Sequence, residues 1–206
     1  DVSGVLLTHE HNDHIRCLAA LSTYLPIYSH EDTLAAVSRT DGMRLASLNA
    51  VDKSFSVGNF VITPFSVSHD AAHPYGFLLD DGKERTAYLT DTGYIGKGVM
   101  KIIQGSDTVV IESNHDRELL IRGSYPERLK RRIASDKGHL SNEEAALCAC
   151  DLVKSGAKRV LLAHISENNN LGELAYWTTA KLLAKNGAKK EDVTVKVADQ
   201  RVTVIL

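Results

Sequence analysis

Apolar and polar positions switch repeatedly between strand-like and helix-like spacing, so strands and helices are expected to alternate along the chain. Residues 2–8 read as a core strand. Over residues 13–24, Ile15, Leu18, Ala19 and Leu21 supply the apolar stripe of a helix. Residues 26–29 predict a short strand, residues 31–38 a short helix, and residues 55–67 one or two strands. Residues 76–80 and 85–90 flank Asp81-Gly82, a strong hairpin signal. A helix near 97–104 leads to a strand at 108–111 and then to a basic helical region over 116–135. Ser141-x-x-Glu144 is a capping box that opens a helix through Ala145, Ala149 and Leu152, ending at Gly156. A strand at 159–163 and a helix at 171–185, with Trp177 expected in its core-facing side, precede closing strands at 193–197 and 202–206. Repeats, low-complexity tracts and Pro/Ser linkers are absent, so residues 1–206 read as one domain. This order suggests two sheets with helices outside them, which periodicity alone assigns to α/β or α+β.

The 206 residues suffice for a sizeable core, and 43% apolar with 24% charged residues is ordinary for a soluble protein. No apolar run approaches the roughly 18 residues of a membrane span. The chain starts at Asp1, directly before a core strand, so N-terminal sequence is expected to be missing. Cys17, Cys148 and Cys150 make an odd count without a C-x-x-C pair, which speaks against a disulfide scaffold and for a reducing cytoplasm. A net charge of −2 argues against bulk nucleic-acid affinity and leaves room for a local basic patch.

The run Thr8-His9-Glu10-His11-Asn12-Asp13-His14 follows a strand and opens a helix. Two positions apart in extended backbone, His9 and His11 leave the same side of the chain. Asp13 and His14 follow at the turn and face the same cavity from another direction. Four such side chains this close suit two divalent ions sharing one pocket, with zinc or manganese as the candidates. One cluster cannot complete two metal shells. His69, Asp91 and His164 each follow an apolar strand and are the candidates to complete them.

In the order H-x-H-x-D-H, His, Asp, His, the sequence resembles the metallo-β-lactamase superfamily over nearly its whole length. The resemblance implies an α+β fold, the αββα sandwich, lacking its N-terminal strands because the family carries extra strands before the first motif. It also implies that His9, His11 and His69 hold one metal, that Asp13, His14 and His164 hold the second, and that Asp91 bridges them. Ile111-Glu112-Ser113-Asn114-His115-Asp116 and Gly138-His139-Leu140-Ser141 look like the Glu and extra His of the phosphodiesterase branch. The segments at 90–94, 112–116, 135–143 and 164–170 are most similar to the YycJ (WalJ) family, whose members are 5′-to-3′ DNA exonucleases linked to mismatch repair.

The chemistry expected from these residues is phosphodiester hydrolysis by a hydroxide bridging two ions, with Asp13 orienting it. His139, oriented by Glu112, serves the leaving oxygen as acid. Between residues 117 and 137 seven Lys and Arg oppose three Asp and Glu. There Arg128, Lys130, Arg131 and Arg132 are candidates for contacts to a DNA backbone, against the plainer reading of a solvated helix face. Asn168, four residues after His164, is a candidate phosphate contact, or a loop cap. His30, His73 and His115 are expected to pack or lie at the surface. The alternatives are a small-molecule metallo-hydrolase of the same fold, acting on a cyclic phosphodiester, lactone or thioester, and a scaffold without activity. The Glu112/His139 pair and the basic stretch favour a DNA phosphodiesterase, and the complete ligand set disfavours the scaffold.

Overall fold

The computed structural model describes residues 2–189, 191–199 and 202–205. The first apolar run becomes β1 (Val5–Leu6), extended at its end by the Leu7 amide donating to the Tyr28 carbonyl. The helix expected over 13–24 arrives as two pieces, α1 (Asn12–Ile15) and α2 (Leu18–Ser22), because Cys17 leaves helical backbone with a ψ of 4°. β2 (Ile27–Ser29), α3 (Glu31–Val37) and β3 (Leu48–Ala50) follow. β3 was not legible, since its three residues are at best half-buried and show no alternation. The three strands pair in parallel in the order β1-β2-β3.

The second sheet starts with a hairpin of β4 (Phe55–Val57) and β5 (Phe60–Ser66), turned at Gly58 with φ of 57°. β6 (Tyr75–Asp80) and β7 (Arg85–Leu89) form the hairpin signalled by Asp81-Gly82, with Gly82 at φ 82°. Its loop covers residues 81–84, where Asp81 Oδ1 accepts from the amides of Lys83 and Glu84. α4 (Lys97–Ile103) leads to β8 (Thr108–Glu112). The basic region splits into α5 (Arg117–Arg122) and α6 (Glu127–Ile133), since Pro126 cannot continue the first helix's hydrogen bonding. The capping box opens α7 (Asn142–Lys154), followed by β9 (Arg159–Ala163), α8 (Gly172–Lys185) and β10 (Thr194–Val197). A closing strand at 202–206 does not form over residues 202–205, and both Leu206 and Asp1 lie outside the described residues.

These strands line up as β10-β9-β8-β7-β6-β5-β4, parallel from β10 to β7 and antiparallel beyond. β5, β7, β8 and β9 therefore end at the same edge of the sheet. Ile62, Tyr75 and Phe77 of the large sheet pack with Leu6 and Val51, joining it to the small one. Leu18, Leu34 and Val37 cover the outer face of the small sheet, while Ala149, Leu152, Ala175 and Leu183 cover the large one. The layers are α, β, β, α. Trp177 is 56% exposed, contrary to expectation, because α8 buries Ala175, Thr179 and Leu183 at four-residue spacing and Trp177 lies off that stripe. Among the described residues no helix is long and apolar enough to cross a membrane.

The turn from α6 into His139 is closed around Gly138. A Cβ there would meet the carbonyl oxygens of Ile133 at 2.1 Å and Arg132 at 2.2 Å. Gly138→Ala is therefore expected to lower stability by about 1–3 kcal/mol through forced displacement of backbone. Urea unfolding measures this, and an unchanged midpoint would refute the close approach.

Candidate metal centre

The loops leaving the ends of β1, β5, β7, β8 and β9 converge at one edge of the two sheets. Buried His9 follows β1, and His11 at the N-terminus of α1 has extended backbone, so their rings share a side with centroids 4.6 Å apart. One helical turn then brings His14 to a centroid distance of 4.2 Å from His9. His69 follows β5, Asp91 follows β7 and His164 follows β9. Asp91 at φ 56° and His164 at φ 52° are the non-glycine residues with positive φ among those described. Such backbone costs of order 1–3 kcal/mol per residue and persists only where neighbours hold it. The Thr92 amide donates to Glu112 Oε1 beside Asp91, and Asn114 Nδ2 donates to the His164 carbonyl.

The ring nitrogens are sorted. Nδ1 of His9 and of His14 lie 3.1 and 3.3 Å from Thr8 Oγ1, Nδ1 of His69 lies 3.1 Å from the Gly138 carbonyl, and Nδ1 of His164 lies 3.1 Å from Glu112 Oε2. That leaves Nε2 of each to the pocket, the arrangement metal-ligating histidines adopt. His11 turns the other way, its Nδ1 lying 3.3 Å from His69 Nε2. Asp91 Oδ1 stands 3.6 Å from His164 Nε2 and 3.8 Å from His69 Nε2, and its Oδ2 stands 3.5 Å from His14 Nε2. Donor atoms of His9, His11 and His69 lie within 4.8 Å of one another, as do those of Asp13, His14 and His164. Buried His9 Nε2 and Asp91 Oδ2 have no hydrogen-bond partner. Unpartnered buried polar atoms are costly, and a divalent cation offsets that cost for both. The residues present fit divalent cations.

Charge in the pocket points the same way. Burial, reinforced by the neighbouring histidines His14, His69 and His11, pushes the His9 pKa down to about 2, so its lone pair is available. At His164, burial opposes the charged ring, but the Glu112 hydrogen bond and the Asp91 charge outweigh it and raise its pKa to about 9. Glu112 is fully buried. Burial disfavours its ionisation, yet hydrogen bonds from His139 and His164 hold its pKa well below the usual carboxylate range. Its Oε2 meets both rings at 3.1 Å while Oε1 accepts from the amides of Thr92 and Leu140.

A cavity of about 810 Å³ opens over these groups. It is lined by His139 and Asn168 as well as the metal-type side chains, and Asn168 Nδ2 donates to the Tyr125 hydroxyl at 2.9 Å. The four expected cations divide. Arg132 lines the cavity but is paired with Asp70 by two hydrogen bonds, and Lys130 Nζ donates to the Ile121 carbonyl and pairs with Glu127. Arg128 and Arg131 are exposed and lie outside the lining. Several lining residues escaped sequence reasoning, Arg16 and Tyr125 among them. Exposed Arg16 follows the histidine motif by two positions, the one signal that could have found it, and Tyr125 sits in the turn between α5 and α6. His30 and His73 stack on each other at 3.5 Å, and buried His115 bridges to Ser141. All three cysteines are free, and burial pushes the Cys148 thiol up to about 12.

Residues 1–165 match the beta-lactamase superfamily domain. The chain is 41% identical over 195 residues to an exodeoxyribonuclease, YycJ, of Bacillus anthracis, covering 91% of this chain and 73% of that protein. It is 37% identical over 194 residues to an exodeoxyribonuclease, WalJ, of Streptococcus pneumoniae, covering 90% and 71% respectively. Among solved structures, the metallo-beta-lactamase fold protein YhfI from Bacillus subtilis superposes with a TM-score of 0.70 at 20% identity, covering 96% of this chain and 75% of that one.

Because the His164 pKa is raised above its ordinary value, the ring keeps its proton until the pH passes about 9. A metal ion at Nε2 must expel that proton. Metal affinity is therefore expected to rise with pH up to about 9, with roughly one proton released per chain at pH 7. Calorimetry in buffers of different ionisation enthalpy measures the release, and proton-free binding by the wild type would contradict the ligand role. Asp91→Ala is expected to lose most of both ions by metal analysis, and a variant retaining two would exclude Asp91 as the bridge.

Proposed function

Because the chain belongs to the beta-lactamase superfamily, we propose that it is a dinuclear metal-dependent phosphodiesterase that removes nucleotides from a DNA end, in the 5′-to-3′ direction. The observation that carries this reading is a histidine beyond the metal ligands. His139 lines the cavity, and Glu112 holds its Nδ1, leaving Nε2 for a substrate. The exodeoxyribonuclease names of the two relatives supply the substrate class. Residues 1–206 act as one domain in this reading, and three free cysteines suit a cytoplasmic enzyme.

His9, His11 and His69 would hold one cation, Asp13, His14 and His164 the other, with Asp91 between them. Zinc or manganese in these positions supplies Lewis acidity, which lowers the pKa of an attacking water and offsets phosphodiester charge. The exposed carboxylate of Asp13, 3.5 Å from His14 Nε2, orients the water. His139 Nε2 delivers a proton to the leaving oxygen, while ionised Glu112 fixes the orientation of both His139 and His164. Arg16 and Asn168 at the cavity meet substrate phosphate. Arg128 and Arg131 supply the exposed positive charge of α6 for the flanking backbone, and Lys130 and Arg132 contribute through their internal pairs to the shape of that surface.

Three measurements test this. Metal-loaded protein given 5′-phosphorylated duplex DNA and a cyclic phosphodiester side by side should release nucleotides stepwise from the DNA. His139→Ala should keep its metals and lose about 10²- to 10⁴-fold in rate, less on substrates with a phenolate leaving group. Preferred turnover of the cyclic diester would favour a small-molecule hydrolase instead. Replacing Arg128 and Arg131 together should lower the slope of DNA affinity against salt by about two counterions. An unchanged slope would remove α6 from the interface.

A further inference from the structure

The cavity also has a wall that ligates nothing. α6 and the turn before it present Tyr125, Leu129 and Ile133 to the same space as the metal-type side chains. Leu129 and Ile133, four residues apart, lie on one stripe of α6, and Tyr125 reaches the same space from the turn before it. A metal site needs no apolar surface beside it, and the half-exposed Tyr125 ring packs against no other aromatic ring among the described residues.

The turn that carries this ring is fixed. A Cβ on Gly123 would lie 2.6 Å from Asn169 Oδ1 and 2.9 Å from the Leu119 carbonyl, so the turn is pressed against the loop that follows His164. The Asp116 amide donates to the Asn169 carbonyl, and Asn168 Nδ2 holds the Tyr125 hydroxyl. Pro126 follows with φ of −57°. A ring already ordered in this way loses little conformational freedom when a planar group settles on it.

We infer that Tyr125, with Leu129 and Ile133, forms a nucleobase subsite that receives the terminal base of the strand whose phosphate faces the metal ligands. The inference rests on the DNA-end reading above and adds how the end is recognised. Every base has a π-face, so stacking is tolerant of sequence. One N–H of the Asn168 amide is engaged by the tyrosine hydroxyl. A base paired and stacked within a duplex must leave its neighbour to reach Tyr125, and that cost is least at a frayed, mismatched or single-stranded end. The enzyme should therefore prefer ends whose last nucleotide is unpaired.

Calorimetric binding of 2′-deoxyadenosine 5′-monophosphate and of base-free 2-deoxyribose 5-phosphate to the metal-loaded chain tests this. The wild type should bind the nucleotide about 5- to 150-fold more tightly than the sugar phosphate, the range of one base–aromatic stack. Tyr125→Ala should erase that difference, and Tyr125→Phe should keep it. The same contrast should appear in KM for DNA ending in a normal or an abasic nucleotide. Equal affinities in the wild type, or undiminished discrimination by Tyr125→Ala, would overturn the subsite. Loss of discrimination in Tyr125→Phe would also overturn it, by assigning the effect to the hydroxyl. Should Tyr125→Ala fail to fold, the wild-type comparison together with Tyr125→Leu decides. Discrimination without any DNA degradation would discard the DNA-end reading and leave the subsite standing, and degradation without discrimination would do the reverse.

Discussion

Six histidine rings and two carboxylates meet at the strand ends, and the free energy of holding them together governs the rest of the structure. Imidazoles this close cannot all be charged, and buried nitrogen and oxygen atoms without partners are costly. At His9 burial, reinforced by the neighbouring rings, holds the pKa near 2, and its unpartnered Nε2 shows the second effect. Divalent cations relieve both at once, which is why the donor set reads as a metal centre rather than a polar core.

Much of the surrounding architecture keeps those donors aimed. Thr8 serves two rings and Gly138 a third. Glu112 ties His139 and His164 together from the end of β8, so the group proposed for proton delivery and a proposed ligand share one buried carboxylate. The positive φ of Asp91 and His164 is the backbone cost of turning side chains back over the strand ends. A parallel arrangement from β7 to β10 makes such turning effective, because consecutive strand ends then face one crevice.

The histidine motif was legible because strand period and helix turn both act within six residues, so spacing alone implies proximity. His69, Asp91 and His164 were legible as polar punctuation after apolar strands. What failed to show in the sequence depends on contacts between distant segments. The second ring on Glu112 lies 52 residues away, and the pairing of Arg132 with Asp70 spans 62 residues. That pairing removes a cation which local charge counting had left free. β3 and the break at Cys17 carry no periodic signal, and the exposure of Trp177 depends on which stripe of α8 meets α7. Tyr125 reaches the cavity only because Gly123 and Pro126 shape its turn against the loop after His164.

Anomalous diffraction from crystals of the metal-loaded protein addresses the central claim most directly. The account predicts two peaks in one pocket, one ringed by His9, His11 and His69, the other by Asp13, His14 and His164, with Asp91 between them and His139 bound to neither. A single peak, or a peak ligated by His139 in place of His164, would contradict it.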